Sequence, residues 1–149
     1  MAEVLFYHLE RQTLEEVLPT LLEKTLARGW RAAVQVSEPA TRDHLDRHLW
    51  VYRKDSFLPH GAVNDDNAAR QPIWLTVGDD NPNGARVRFL AERARPSDVS
   101  VYDRVVILFC ADDEEAVADA RALWKPLKAA GHDCTYWQQS ASGKWEKKA

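Results

Sequence analysis

One stretch of the sequence, from Asp103 to Gln138, restricts the possible folds more than any other. It begins with DRVVILFC, an apolar run with the length and β-branched content of a buried strand. A helical pattern follows, in which Asp112 is a good N-cap, Glu115 comes three residues later, and Gly131 suits the position just after the helix. CTYWQQ then has the composition of another strand. The stretch therefore predicts a strand, a helix and a strand in succession.

The helix predicted here combines an apolar stripe with a row of cations. The stripe consists of Val117, Ala120, Leu123, Trp124 and Leu127. Trp124 lies at its edge, and Arg121, Lys125 and Lys128 share one neighbouring face. A tryptophan bordered by cations suits an acidic peptide with a hydrophobic anchor, a terminal carboxylate, or a phosphate backbone with a stacked base. The helix dipole also favours bases at this end of a helix, and such tryptophans usually belong to the core. The pattern alone leaves both interpretations open.

The rest of the chain continues this alternation of strands and helices. Strands are predicted over residues 3–9, 31–37, 72–77 and 85–92, and helices over residues 14–28 and 40–52. Thr13 and Glu16 form a capping box for the first helix. This order predicts an α/β fold with three layers, in which a mostly parallel, Rossmann-like sheet carries helices on both faces. Residues 1–140 are predicted to form a single domain, and residues 141–149 a polar, flexible tail.

Bulk properties exclude some classes of protein. The formal net charge of −3 over 149 residues argues against strong non-specific binding of nucleic acid, which needs a basic surface. Cys110 and Cys134 fall in predicted strands, which favours buried, reduced thiols over a disulfide. There is neither a signal peptide nor an apolar run long enough to span a membrane, so we expect a soluble, cytoplasmic protein.

The sequence predicts no catalytic residue, cofactor site or metal site. The turn after the first strand is ERQT, and neither a GxGxxG nor a Walker A motif occurs, so the usual phosphate-binding loop is missing. His44 and His48 have the i, i+4 spacing of a metal pair, but no third ligand accompanies them. Residues 53–71 have no clear periodicity, and a loop of this length is usually functional or disordered.

Three segments together resemble the chi subunit of the bacterial DNA polymerase III holoenzyme. They are VLFYHL near the start, LDRHLWVYRKDSFLPH in the middle, and ARALWKPLKAAG followed by YW near the end. The resemblance covers nearly the whole chain in order. It implies an α/β fold without a nucleotide site and a non-catalytic accessory subunit of the clamp-loader assembly in DNA replication. It also implies that nucleic acid is reached mainly indirectly, through a protein partner.

The resemblance implies two partner surfaces. The acidic C-terminal tail of the single-stranded DNA-binding protein would bind the last long helix through Arg121, Trp124 and Lys125. Lys128 is added from its spacing, although Pro126 interrupts the helical pattern beside it. A psi subunit or another clamp-loader component would contact a second surface, formed by Trp50, Phe57, Pro59 and His60.

Two other functions stay open at this point. A nucleotide-dependent enzyme would need a phosphate cradle made without glycine, in the crevice at the strand ends. A direct binder of single-stranded nucleic acid would use the basic face of the last helix, against the negative net charge.

Overall fold

The computed structural model describes residues 2–51, 59–62, 67–96 and 98–149. The strands are β1 (Glu3–Leu9), β2 (Ala32–Gln35), β3 (Ile73–Thr76), β4 (Val87–Leu90), β5 (Arg104–Cys110), β6 (Asp133–Gln139) and β7 (Trp145–Lys147). The helices are α1 (Leu14–Ala27), α2 (Pro39–Val51) and α3 (Glu114–Ala129). Short 3-10 turns span Ala68–Arg70 and Val99–Val101.

All seven strands belong to one sheet, in the order β3-β2-β4-β5-β1-β6-β7. β1 to β6 pair in parallel, and β7 pairs antiparallel with β6. Because successive side chains of a strand point to opposite faces, the core divides in two. Leu18, Leu22, Leu45 and Leu49 of α1 and α2 pack on one face, whereas Ala116 and Ala120 of α3 pack on the other. The predicted three-layer α/β fold is confirmed.

Helix α1 begins where its capping box predicts. The Thr13 hydroxyl accepts from the Glu16 amide at 3.3 Å, and the Glu16 carboxylate accepts from the Thr13 amide at 3.2 Å. Helix α3 begins one residue later than predicted, because Asp113 and not Asp112 is its N-cap. The Asp113 amide is bonded to the last strand residue, Cys110, and the Asp113 side chain accepts from Ala116 at 3.1 Å.

The polar segment 141–149 contains the last strand of the sheet. Residues Trp145–Lys147 form β7, and the Trp145 ring packs edge-on against Tyr7 with centroids 4.9 Å apart. The Lys148 amide donates to the Tyr136 carbonyl at 2.7 Å, so pairing continues beyond the strand. Trp145 is the single large apolar side chain of this polar segment, and its burial against β1 explains why the segment joins the sheet.

Strand β4 contains a buried cation that the sequence pattern did not reveal. Arg88 is fully buried and donates to the Gln35 side chain at 2.8 Å and to the carbonyls of Gly78 and Asp80 at 2.8 and 2.7 Å. A buried guanidinium needs such acceptors, and here they fix the turn between β3 and β4. Cys110 and Cys134 are free thiols, of which Cys134 is buried and Cys110 is half-buried. Within the described ranges, no helix is long and apolar enough to cross a bilayer.

Candidate functional site

Helix α3 carries its basic residues on a regular helix that continues through Pro126. Its end is a Schellman motif, in which the Gly131 amide donates to Lys128 at 3.0 Å and the His132 amide donates to Leu127 at 3.2 Å. Gly131 has φ +92°, the left-handed conformation that this motif requires. Lys128 therefore keeps its place in the last turn, and Pro126 does not displace it.

Trp124 is half-buried at the edge of the core, where aromatic side chains surround it. Its ring meets Phe6 of β1 edge-on at 5.3 Å and Tyr136 of β6 at 6.2 Å. The Lys128 ammonium lies 5.1 Å from the centre of the Trp124 ring, a cation–π distance. The part of Trp124 that remains exposed thus forms the rim of an aromatic cluster, with a cation beside it.

The two halves of α3 differ in electrostatic character. The acids Glu115 and Asp119 in the first half pair with Arg93, at 2.8 Å in the case of Glu115. From the middle of the helix onward, Arg121 and Lys125 are exposed, one turn apart. Within the described ranges, no carboxylate lies within 4.0 Å of Arg121, Lys125 or Lys128. These three cations are therefore available to an anionic partner.

A polar group extends the site toward the carboxyl end of β1. His8 Nδ1 and the Tyr136 hydroxyl share a hydrogen bond of 2.9 Å. His8 Nε2 lies 3.5 Å from the Glu10 carboxylate, which accepts from Gln138 at 2.7 Å. Burial raises the pKa of Tyr136, and the nearby Arg121 guanidinium offsets part of that rise. Burial also lowers the pKa of His8, and Arg121 lowers it further while Glu10 opposes the change.

The structure therefore brings together the four residues predicted on α3 and adds residues from the sheet. Phe6, His8 and Tyr136 were missed, although their strands were predicted. Alternation along β1 puts Phe6 and His8 on one face, but the sequence does not say which face α3 covers. For β6 it does not distinguish Tyr136 from its neighbour Trp137. The parallel register puts Phe6 opposite Tyr136, and the contacts of Trp124 with both rings show that α3 covers this face.

The second predicted surface is only partly described. Trp50 is 48 % exposed at the end of α2, and its ring lies 4.3 Å from the ring of His60. His60 is buried, and its Nε2 lies 2.9 Å from the Asp46 carboxylate. His60 therefore supports Trp50 from beneath and does not itself line the surface. Pro59 is half-buried, and Phe57 lies outside the described residues.

The crevice at the carboxyl ends of the strands is occupied by the protein's own carboxylate. Glu92 accepts from the amides of Ser37 and Glu38 at 3.2 and 3.3 Å and from the Thr41 hydroxyl at 2.6 Å. These groups lie at the start of α2, and the backbone amides at a helix start can bind a phosphate. Glu92 reaches them with φ +53°, a strained conformation for a residue with a side chain.

The two histidines of α2, His44 and His48, both contact Glu15 of α1. His44 Nε2 lies 3.4 Å from the Glu15 carboxylate, and His48 Nε2 lies 2.7 Å from the Glu15 carbonyl oxygen. No group of three ligands suitable for a metal ion occurs among the residues that the structure describes.

Comparison with known proteins gives one consistent result. The family model for the DNA polymerase III chi subunit, HolC, matches residues 1–135. A protein of Rickettsia prowazekii named probable DNA polymerase III subunit chi is 25% identical, over 72% of this chain and 70% of its own length. The DNA polymerase III subunit chi of Pseudomonas aeruginosa is 28% identical, over 70% of this chain and 71% of its own length.

Proposed function

The chain belongs to the family of DNA polymerase III chi subunits, and we therefore propose that it links the clamp loader to the C-terminal tail of the single-stranded DNA-binding protein. Chi is an accessory subunit of the polymerase in DNA replication, with partners in the clamp loader. One observation carries the proposal for the tail. Arg121, Lys125 and Lys128 surround the half-buried Trp124 without carboxylate partners in the described ranges.

In the proposed contact, the apolar end residue of the tail and the charged groups of the tail bind different parts of the site. A hydrophobic residue at the end of the tail packs on the exposed part of Trp124, beside Tyr136. The terminal carboxylate takes two parallel hydrogen bonds from the Arg121 guanidinium, whose planar shape matches a carboxylate. Lys125, one turn further along α3, faces acids upstream in the tail. Because these charges lie at an exposed rim, salt screens them and the contact is weak and exchangeable.

Titration of the chain with a synthetic acidic peptide that ends in a hydrophobic residue tests the proposal. We expect saturable binding at low salt, weaker binding at high salt, and a loss of affinity when the peptide's C-terminus is amidated. Amidation removes the terminal carboxylate and leaves the acids and the anchor, so it isolates the role assigned to Arg121. No binding at low salt would exclude the tail as the partner of this site.

The second surface is proposed to receive psi or another clamp-loader component. Trp50 is a large apolar side chain that is 48 % exposed, and Val51 beside it is 75 % exposed. Adjacent exposed apolar residues at a helix end are typical of a protein contact. We expect Trp50→Ala to weaken assembly with clamp-loader proteins in a pull-down, and binding of the tail peptide to stay unchanged.

The chain is proposed to act without catalysis of its own. The turn after β1 has no glycine, and the Glu92 carboxylate takes up the amides at the start of α2, so both observations argue against the nucleotide-dependent alternative. Thermal shift with ATP and GTP tests this, because a ligand that binds only the folded state raises the melting temperature. A shift with wild-type protein would reopen the enzymatic alternative.

Binding of a bare oligonucleotide with steep salt dependence would favour direct contact with nucleic acid.

A further inference from the structure

A cavity of about 140 Å³ lies beneath the last turns of α1, on the face of the sheet opposite to α3. Its apolar lining consists of Leu5, Leu21, Phe89 and Val106. Leu5, Phe89 and Val106 lie on the face of the sheet that α1 covers, so the cavity is separate from the Trp124 site. It is also separate from the Glu92 crevice, because Leu5 and Val106 belong to the first halves of β1 and β5.

Three cations line the same cavity: Lys24 and Arg28 from α1, and Arg104 from β5. Both guanidinium groups lie at cation–π distance from the Trp30 ring, Arg28 at 5.2 Å and Arg104 at 5.4 Å from its centre. Arg104 also pairs with Glu3 at 2.6 Å. Lys24 and Arg28 have no carboxylate within 4.0 Å in the described ranges, so their charges are not neutralised locally.

Tyr7 adds a polar atom to the wall of the cavity. Its hydroxyl makes no hydrogen bond to any residue that the structure describes. Burial raises the pKa of Tyr7, which keeps the phenol protonated at neutral pH and able to donate a hydrogen bond. The cavity thus combines apolar walls, two guanidinium groups, an ammonium group and a phenol donor.

The helix dipole explains only part of this arrangement. Lys24 and Arg28 lie at the C-terminal end of α1, where cations stabilise a helix. That effect does not account for Arg104, which belongs to a strand, or for the stacking of both arginines on Trp30. It also does not account for the apolar space beneath them, because a well-packed core leaves few voids of this size.

We propose that this cavity binds a small organic oxyanion, a carboxylate or a phosphate ester, whose apolar body is about the size of one ring. An apolar cavity of roughly 150 Å³ is large enough to admit benzene, which sets the size of the body. Arginine side chains bind both carboxylate and phosphate through paired hydrogen bonds, so the chemistry of the rim fits both. This site does not depend on the tail-binding function of α3.

The test uses 3-phenylpropionate and phenyl phosphate as probes of the full chain, followed through the indole N–H signals in an NMR spectrum. The chain has six tryptophans, and Trp30→Phe identifies the Trp30 signal by its disappearance. We expect at least one probe to shift the Trp30 signal saturably, and Arg28→Ala to weaken that binding about tenfold. Arg121→Ala/Lys125→Ala, which removes two cations from the other face, should bind the probe as wild type does.

Further probes separate the chemical classes. Binding of phenyl phosphate alone identifies a phosphate ester, binding of 3-phenylpropionate alone identifies a carboxylate, and binding of both supports a site for either oxyanion. The proposal is wrong if neither probe binds, if neutral 3-phenylpropanol binds as well as the anions, or if inorganic phosphate binds as well as phenyl phosphate. Leu21 is a half-buried residue of α1, and Leu21→Trp places a larger side chain in the cavity. This variant should lose probe binding and still bind the tail peptide. Undiminished probe binding by that variant would also overturn the proposal.

Discussion

Trp124 and Trp50 both lie at the border of the core, but the residues that support them differ. Trp124 rests on Phe6 and Tyr136, with Lys128 against its ring. Trp50 is 48 % exposed and rests on His60, which Asp46 holds in place. One tryptophan is therefore part of a basic, aromatic site, and the other is an apolar projection from a polar helix. If both surfaces bind the proposed partners, we expect charge to guide binding at the first surface and burial of apolar area to drive it at the second.

The largest expected difference between the two surfaces is in stability. Trp124→Ala should lower the free energy of unfolding by about 2–4 kcal/mol, because it opens a cavity beside buried Phe6. Trp50→Ala is the matched control and should cost less than about 1 kcal/mol, since much of its ring is already in water. Urea denaturation measures both values. Equal losses would mean that the two tryptophans are equivalent parts of the core.

The next effect is on affinity for the tail peptide. Arg121→Ala should weaken binding by about 1.5–3 kcal/mol, the range for a hydrogen bond to a charged group, and leave the fold intact. Lys125→Ala should weaken it less, because an ammonium group cannot hold a carboxylate with two parallel bonds. Calorimetry with the peptide gives both affinities. If Lys125→Ala has the larger effect, the terminal carboxylate is assigned to the wrong cation.

The sequence predicted the features that depend on neighbouring residues and missed those that depend on partners distant along the chain. Helix α1 and its capping box follow from neighbouring residues, as do the strands and the stripe of α3. Arg88, Tyr136 and Glu92 could not be found in this way, because their partners are distant in sequence. The Arg88 guanidinium bonds to Gln35, for example, and no local pattern in VRFL indicates a buried charge. Strand β7 was missed because a single tryptophan in a lysine-rich segment gives no periodicity.

Salt concentration should affect binding at the two surfaces differently. Raising the salt concentration shortens the Debye length from about 10 Å at 0.1 M to about 3 Å at 1 M. We expect tail-peptide affinity to fall over this range, since Arg121 and Lys125 are exposed. Binding of a clamp-loader partner through Trp50 should change little, because burial of apolar area is not screened. The opposite pattern, measured with both partners in the same buffers, would reverse the roles of the surfaces.

A smaller effect on stability should appear with pH near the Trp124 site. Burial lowers the pKa of His8, so the folded chain holds this imidazole neutral when the unfolded chain has already taken up a proton. Stability should therefore fall as the pH drops below about 6.5, the ordinary pKa of histidine. His8→Gln, which cannot titrate, should reduce the dependence of melting temperature on pH between about 7 and 5. If melting temperature depends on pH as steeply in His8→Gln as in the wild type, protonation of His8 does not destabilise the folded chain.

Glu10 should have the smallest effect, and it tests whether the charge of the α3 surface limits binding. Its carboxylate is held near His8 and Gln138, at the polar end of the group that includes Tyr136 and Arg121. An acidic tail that reaches Arg121 approaches this negative charge and is repelled by it. Glu10→Gln keeps the size and an acceptor for Gln138, so we expect tail affinity to rise by about 0.2–1 kcal/mol, the range for exposed charge pairs. The gain should disappear at high salt, because screening removes the repulsion that the substitution relieves. An affinity that stays unchanged at low salt would place the bound tail away from the carboxyl end of β1, toward Lys125 and Lys128.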